Sequence, residues 1–276
     1  MKIFICGDVV GKCGRKSLID HLPKVQERLD PDFIIVNGEN AAHGFGITRK
    51  IADSFFDLGV DVITTGNHVW DQREILDWID AEKRVLRPVN FPEGTPGRGH
   101  GVFEARGGQQ VLVVHPMGRL FMEPIDNPFT MTEELLRNRK MGRGIGGSLD
   151  AVVVDFHAEA TSEKVAMGQF LDGTASLVVG THTHVPTADT HILPGGTAFQ
   201  CDLGMCGDYD SVIGMNKQVA IDRFIQKTPA GRLNPAEGEA TMCGVFAELD
   251  ARTGLAKRVA PVRLGGRLPD SWPAEV

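Results

Sequence analysis

Two histidines separated by a single residue follow an apolar run near residue 180. The run is Ser176-Leu177-Val178-Val179, and Gly180-Thr181-His182-Thr183-His184 comes directly after it. On a strand that continues, residues i and i+2 point the same way, so both imidazoles can reach one site. A single histidine near a strand end is usually a polar core residue, whereas two at this spacing are also typical of a metal site.

Polar residues also follow four other apolar runs that we predict to be strands. The runs are 2–6, 33–36, 60–64 and 151–156. The residues that follow them are Asp8, Glu39, Asn40, Asn67, His68 and His157. Asp8 alone could cap a helix and Asn67 alone could be a turn residue. Glu39 is harder to explain structurally, because a buried carboxylate without a cation carries a large desolvation cost.

The elements between these runs predict an α/β fold. Helical spacing is present at 17–29, 48–58 and 71–80, so strands and helices alternate through the first third of the chain. This alternation implies parallel strands with right-handed crossovers. In such sheets ligands bind beyond the carboxyl ends of the strands, where the polar residues above are expected to meet.

The rest of the chain is predicted to complete one domain over residues 1–276. We expect a hairpin at 102–114, a helix at 161–171, a helix at 217–226 and a late hairpin at 245–263. Residues 116–148 are interpreted as an irregular excursion with one helix at 132–139, and residues 197–215 as a loop beside the site.

Composition narrows the functional classes. The chain has 276 residues and a formal charge of −7, which argues against general nucleic-acid binding by phosphate neutralisation. A small phosphorylated substrate is compatible with that charge. The five cysteines are odd in number and irregularly spaced, so no disulfide framework is indicated. No run approaches the ~20 apolar residues of a membrane span, so we expect a cytoplasmic protein without a membrane partner.

The collected side chains form a mixed oxygen and nitrogen ligand set. Carboxylates, carboxamides and imidazoles together suit Mn, Fe or Zn better than Ca or Mg. There are too many ligands for one ion, but they divide between two ions if one carboxylate bridges. Two metals about 3.5–4 Å apart promote in-line displacement at phosphorus, so the set indicates phosphoester chemistry.

The ordered motifs resemble those of the calcineurin-like metallophosphoesterases, usually written D-x-H, G-D-x-x-D, G-N-H-[DE], H and G-H-x-H. The matching pieces are Gly7-Asp8, Gly38-Glu39-Asn40, Gly66-Asn67-His68, His157 and Gly180-Thr181-His182-Thr183-His184. Val10 stands where the first motif has its histidine, and Glu39 replaces the aspartate of the second. The last motif is one residue longer before its first histidine. These departures are similar to the YmdB-like branch of bacterial phosphodiesterases, in which Asn40 would fill the position left by the missing histidine.

The resemblance implies a four-layer α/β/β/α sandwich that hydrolyses phosphodiesters, notably 2′,3′-cyclic nucleotides. It implies two ions, Fe or Mn with Zn as an alternative, and a homo-oligomer, either dimer or tetramer. One ion would take Asp8, Glu39, Asn40 and His184. The other would take Glu39, Asn67, His157 and His182, so that Glu39 bridges. A metal-bridging water would attack phosphorus in line, and His68 would protonate the leaving oxygen as general acid.

Two other functions remain open at this point. The same metals would serve a phosphomonoesterase, including a phosphoprotein phosphatase. A non-catalytic nucleotide- or RNA-associated regulatory protein is the other alternative, which the presence of His68 disfavours. A basic cluster at Arg137, Arg139, Lys140 and Arg143 is interpreted as a solvated face, with a substrate or subunit contact as the alternative.

Some residues near the motifs have no ligand role. His43 and His191 are candidates for substrate binding. Asp71 could orient His68 from one helical turn onward, or could cap the helix that follows.

Overall fold

The computed structural model describes residues 1–142, 147–226 and 231–274, and its strands form two main sheets. In spatial order the larger sheet contains β15 (Ala256–Leu264), β14 (Ala240–Leu249), β13 (Met205–Asp208), β1 (Lys2–Val9), β2 (Phe33–Asn37), β3 (Val62–Thr64) and β4 (Val85–Leu86). The smaller sheet contains β11 (His191–Ile192), β12 (Ala198–Gln200), β10 (Leu177–Thr181), β9 (Ala151–His157), β6 (Gln110–Val114) and β5 (His100–Glu104). A separate pair is formed by β7 (Lys140–Met141) and β8 (Gly147–Leu149).

The helices are α1 (Gly11–Leu29), α2 (Arg49–Asp57), α3 (Pro128–Leu136), α4 (Thr161–Phe170) and α5 (Lys217–Ile225). The first two cover the outer face of the larger sheet, and α3 and α4 cover that of the smaller sheet. Thr48 caps α2, as predicted, by accepting a hydrogen bond from Ile51 N at 3.3 Å. In the described part of the chain, no helix combines the length and the apolar character that crossing a membrane requires.

Alternation along the strands builds three apolar layers. One set of side chains, including Ile3 and Ile35 of the larger sheet and Val153 of the smaller, packs between the two sheets. Neighbouring residues such as Phe4 turn outwards against α1 and α2. The outer face of the smaller sheet packs in the same way against α3 and α4, around Val154. The order of layers is therefore α/β/β/α, which confirms the predicted fold class.

Parallel pairing brings the polar strand ends together. β1, β2, β3 and β4 are parallel neighbours, and β9 pairs in parallel with β10 in the other sheet. Asn37 is opposite Thr64 in one sheet, and Thr181 is opposite His157 in the other. Because the carboxyl ends of parallel strands share an edge, the loops after β1, β2, β3, β9 and β10 converge.

The largest error in the sequence interpretation lies at 197–215. This segment is not only a loop, because it contains β12 and β13, and β13 pairs in parallel with β1 opposite Asp8. The helix α1 begins at Gly11, well before the predicted residue 17. Gly14 lets this helix approach β13, since a Cβ there would lie 2.2 Å from Cys206 O. The helix predicted at 71–80 is reduced to a 3₁₀ turn at Arg73–Asp77.

In the described part of the excursion at 116–148 there is one helix, as predicted, besides the short strands β7 and β8, but that helix begins earlier than expected. Its bounds are Pro128–Leu136 rather than 132–139, because Asn127 caps it and Pro128 occupies its first turn. Phe129 and Leu136 pack against the outer face of the smaller sheet. Arg143, part of the predicted basic cluster, lies outside the described residues. The single-domain interpretation stays a prediction.

Candidate metal centre

The seven side chains predicted as metal ligands lie together, at the carboxyl ends of strands from both sheets. Asp8, Glu39, Asn40 and Asn67 come from the ends of β1, β2 and β3, whereas the histidines come from β9 and from the loop after β10. The histidines are His157, His182 and His184. The two sheets therefore supply different chemistry to one place, oxygen ligands from the larger and imidazoles from the smaller.

A first group of possible ligand atoms surrounds His157. His157 Nε2 lies 3.1 Å from Glu39 Oε2, 3.0 Å from Asn67 Oδ1 and 3.1 Å from His182 Nδ1. One ligand atom from each of Glu39, His157 and His182 lies within 4.8 Å of the others. Such close grouping of one carboxylate and two imidazoles is typical of a transition-metal site.

A second group shares Glu39 with the first. It combines Asp8, Glu39 and His184, again with one ligand atom of each within 4.8 Å of the others. His184 Nε2 lies 3.2 Å from Asn40 Oδ1 and 3.9 Å from Asp8 Oδ1. Val10, which stands where the D-x-H motif has its histidine, is a buried apolar residue. Asn40 Oδ1 thus lies closer to His184 Nε2 than Asp8 Oδ1 does.

Buried oxygens without partners show that the residues fit a cation. Asp8 and Glu39 are fully buried, yet Asp8 Oδ1 and Glu39 Oε1 have no hydrogen-bond partner among the described residues. Leaving a carboxylate oxygen unpaired in the interior is costly unless a positive charge compensates it. Gly66 keeps the same space open, because a Cβ there would lie 2.1 Å from Glu39 Oε2 and 2.4 Å from His157 Nε2.

The electrostatics of the cluster point the same way. Burial raises the pKa of Asp8 to about 6, although His184 and His157 partly counter it. Burial also disfavours a charged Glu39, but the charge and hydrogen bond of His157 hold the pKa of Glu39 at about 2. Burial would lower the pKa of His157, yet Glu39 and Asp8 raise it to about 9. The carboxylates thus hold a positive charge on His157, and a bound cation would take the place of that proton.

Each histidine is also held through its second ring nitrogen, as is usual for metal-bound imidazoles. His184 Nδ1 donates to Ile213 O at 2.8 Å, and His182 Nε2 lies 3.1 Å from Glu159 Oε2. His157 Nδ1 donates to Thr181 Oγ1 at 2.9 Å. In every case the other ring nitrogen faces one of the two groups of ligand atoms. These contacts therefore set both the tautomer and the direction of each ring.

The support behind His157 continues into the layer between the sheets. Thr181 Oγ1 donates to Asp155 Oδ1 at 2.7 Å, and Thr64 Oγ1 donates to Asp155 Oδ2 at 2.5 Å. Asn37 Nδ2 donates to the same Oδ2 at 3.3 Å. Asp155 is a fully buried carboxylate that links both sheets beneath the site. The sequence analysis missed Asp155, Thr181, Glu159 and Ile213, although Glu159 is only two residues beyond His157.

The loop after β10 does not continue as a strand. β10 ends at Thr181, and His182 and His184 have φ values of 96° and 64°. The expectation that a continuing strand points both rings the same way is therefore wrong. The turn instead sends His182 towards the first group and His184 towards the second. Positive φ is strained for residues other than glycine, so neighbouring contacts must hold this loop.

A buried ion pair supplies that restraint at Thr183. Thr183 N and Oγ1 donate to Asp202 Oδ2 at 3.2 and 2.6 Å. Lys164 Nζ, from α4, donates to the same oxygen at 2.6 Å and to Thr183 Oγ1 at 3.2 Å. Lys164 and Asp202 are both buried, so their attraction is little screened by water. Thr183, the residue between the two histidines, is thus held by Asp202 and Lys164.

His68 stands beside the groups rather than within them. Its Nδ1 lies 2.9 Å from Asp71 Oδ2, and its side chain is partly exposed at a cavity of about 300 Å³. Glu39, Asn40, His182 and His184 line the same cavity. An imidazole held by a carboxylate at the edge of the groups is placed to exchange a proton with a bound molecule. Of the two roles left open for Asp71, the contact with His68 is therefore present.

Other sequence candidates lie elsewhere. His43 is exposed and lines two other cavities, of about 260 and 520 Å³, the smaller of which shares Phe45 with the site cavity. His191 is exposed on β11, packs against Phe199 and is not among the residues that line the site cavity. The described basic residues Arg137, Arg139 and Lys140 line a different cavity, of about 510 Å³, beside α3 and α4.

Comparisons with known proteins agree with the geometry. The family model for YmdB-like protein matches residues 4–262. The chain is 46% identical, over 259 residues, to the protein of Bacillus subtilis (strain 168) named 2′,3′-cyclic-nucleotide 2′-phosphodiesterase, and this match covers 94% of the chain and 95% of the relative.

Two solved structures share the fold along almost the whole chain. One is a protein from Thermus thermophilus, with a TM-score of 0.88 and 39% identity, covering 97% of this chain and 100% of that one. The other is described as a novel phosphatase from Mycoplasma pneumoniae, with a TM-score of 0.88 and 34% identity, covering 96% and 93%. The resemblance stated from the motifs is confirmed.

Proposed function

Because this chain belongs to the YmdB-like protein family, we propose that it is a metal-dependent phosphodiesterase that hydrolyses 2′,3′-cyclic nucleotides with two metal ions. The observation that carries the proposal is the position of Glu39, a fully buried carboxylate shared by two groups of ligand atoms. The named activity of the Bacillus subtilis relative supports the substrate class. Iron or manganese fits this donor set, with zinc as an alternative.

We propose the following division of the two ions between the candidate ligands. Asp8, Asn40 and His184 would hold one ion, while Asn67, His157 and His182 would hold the other. Glu39 would reach both. Ions bound there supply a low-pKa water as nucleophile and neutralise charge on the phosphate oxygens.

The chain's own residues perform the remaining steps. The phosphodiester would bind in the cavity of about 300 Å³, which His68 and Glu159 line together with Glu39 and His184. His68, held by Asp71 at 2.9 Å, donates its Nε2 proton to the oxygen that leaves phosphorus. Thr181, Ile213 and Glu159 keep the three histidines in position while the charge on the substrate changes.

Metal removal tests the proposed function directly. Freshly purified protein is expected to contain transition metal at about two ions per chain, as the two groups indicate, and to hydrolyse 2′,3′-cAMP. A chelator should abolish hydrolysis, and Mn²⁺ should restore it. Elemental analysis and the nucleotide assay are made on the same preparation. Full activity in chelated protein would contradict the proposal, and metal-replete protein that binds nucleotide without turnover would favour a regulatory role.

The division of the ions between the two late histidines gives a second prediction. His184→Ala should weaken the ion on the Asp8 side by at least about tenfold and leave the other ion less affected, because loss of even a supporting contact typically costs 10–100-fold. Calorimetric titration of metal-free protein with Mn²⁺ measures both sites. His182→Ala is the matched control and should reverse the order. Equal weakening of both ions in either variant contradicts the split.

A phosphomonoesterase is the second candidate, because one structural relative is described as a phosphatase. Rates on 2′,3′-cAMP and on an alkyl monophosphate distinguish the two. A higher kcat/KM on the monoester would favour it. A cytoplasmic location and a homo-oligomeric assembly stay predictions from the sequence.

A further inference from the structure

Phe45 is an aromatic residue that lines two cavities, one of which is also lined by His68. It lines the site cavity of about 300 Å³ and the neighbouring cavity of about 260 Å³. Its ring centroid lies 5.0 Å from that of His68, in an edge-to-face arrangement. Gln72 and Arg232 also line the neighbouring cavity. Phe45 cannot bind a metal or move a proton, so its place in the wall has to be explained by packing or by substrate contact.

The chemistry of a cyclic nucleotide determines where its base must lie. The phosphate bridges O2′ and O3′ of the ribose, and the base is attached to C1′, the neighbour of C2′. When His68 protonates O2′, the base nitrogen on C1′ is three bonds from the atom that receives the proton. The base therefore lies beside the His68 ring, which is where Phe45 is found.

The backbone holds Phe45 in place before any substrate arrives. Phe45 N donates to Ala42 O at 3.0 Å, and Gln72 Nε2 donates to Phe45 O at 2.8 Å. The glycines on either side have φ values of 90° and 74°. A Cβ at Gly46 would lie 2.9 Å from Gln72 Cγ, so the turn depends on this glycine. A loop whose backbone is held in this way loses little freedom on binding, which favours affinity.

We propose that Phe45 is the platform on which the nucleobase of the substrate stacks, and that the neighbouring cavity of about 260 Å³ accepts the base. The inference rests on the proposed function, since it takes a 2′,3′-cyclic nucleotide as substrate. A base is smaller than the ligands that fill pockets of roughly 300–1,000 Å³. Stacking on an aromatic ring does not depend on hydrogen-bond pattern, so the platform accepts purines and pyrimidines and favours the larger purines.

The test compares two substrates that differ only in the base. One is 2′,3′-cAMP, and the other is methyl β-D-ribofuranoside 2,3-cyclic phosphate, which has the same phosphodiester ring and no base. Phe45→Ala should lower the ratio of kcat/KM for the nucleotide to that for the base-free compound by at least about fivefold, the smaller end of the effect of removing an aromatic stacking partner. Most of the change should appear in KM.

Conservative and distant variants complete the design. Phe45→Trp should keep the ratio at or above that of the wild type, because indole also stacks, whereas Phe45→Leu should behave like the alanine variant. Phe224→Ala removes a strongly exposed aromatic ring from α5, outside the site cavity, and should leave the ratio unchanged. Metal content of each variant is measured to show that the ligand groups remain intact.

If Phe45→Ala left the ratio of the two kcat/KM values unchanged, whether or not both values fell, the base platform would be overturned. A purely structural role acts on both compounds alike. If the wild type hydrolysed neither substrate, the proposed function itself would fail. The platform is then tested by equilibrium binding of 2′,3′-cAMP to wild type and Phe45→Ala. At least about fivefold weaker binding in the variant supports the platform, and equal dissociation constants contradict it.

Discussion

Replacement of His68 by alanine is expected to leave metal bound at both groups of ligand atoms and to abolish measurable hydrolysis of 2′,3′-cAMP. Loss of a general acid typically lowers kcat by roughly 10²–10⁴-fold. The reason is geometric. His68 lies at the edge of the site cavity and is bonded to Asp71 through Nδ1, but it belongs to neither group of ligand atoms. Removing it takes away the proton donor for the ribose oxygen, which is a poor leaving group without a proton.

The leaving group separates proton donation from other roles of His68. Bis(4-nitrophenyl) phosphate releases a nitrophenolate, which leaves without being protonated, so His68→Ala should lose much less activity on it than on 2′,3′-cAMP. Asp71→Asn keeps the imidazole but replaces the carboxylate that orients it by an uncharged amide, so it should show an intermediate loss. A His68→Ala enzyme that remains active on the cyclic nucleotide would contradict the assignment, as would equal losses on both substrates.

The grouping of the candidate ligand residues could be predicted because of how parallel sheets are built. A buried strand is an apolar run in the sequence, so the polar residue that ends it is visible without a structure. Asp8, Glu39 and His157 each follow such a run, and the parallel pairing of their strands brings the ends to one edge. The order of the motifs then identified the family, which the comparisons confirm.

The supporting residues could not be predicted, since their roles arise from tertiary contacts. Asp155 is one polar residue in an apolar strand, and only the facing sheet brings Thr64 and Asn37 to it. The pairing of Lys164 with Asp202 joins a helix to a loop that are 38 residues apart. Neither periodicity nor composition identifies such partners.

Short strands and unusual backbone conformations could not be predicted from the sequence for a different reason. β12 and β13 have three and four residues, too few for a period to show, and glycines surround them. The positive φ values of His182 and His184 are rare outside glycine, so the sequence favoured a continuing strand. The division of the two rings between the groups follows from that turn.

Glu39→Gln is expected to lose tight binding of both ions, and not of one alone. The carboxylate belongs to both groups of ligand atoms, and its Oε1 has no hydrogen-bond partner among the described residues. The amide keeps the shape of the side chain and removes its charge, so the effect reports electrostatics rather than packing. Activity should fall with metal occupancy, and excess Mn²⁺ should restore little of it.

Thermal unfolding gives a readout of this loss that does not depend on catalysis. Free metal at 100 times its dissociation constant stabilises the wild type by about 2.7 kcal/mol per ion. For a chain of this size each ion then raises Tm by roughly 5 °C. The increase should vanish in Glu39→Gln, while the chelated forms of both proteins are compared to measure any metal-independent change in stability.

Glu159→Gln provides the matched control because it removes the same charge beside a single histidine. Glu159 contacts His182 Nε2 at 3.1 Å and belongs to neither group, so this variant should weaken one ion and spare the other. If Glu39→Gln also lost only one ion, the carboxylate would serve a single metal and the two groups would be independent sites. Loss of both ions together would mean that binding at each group depends on the shared carboxylate of Glu39.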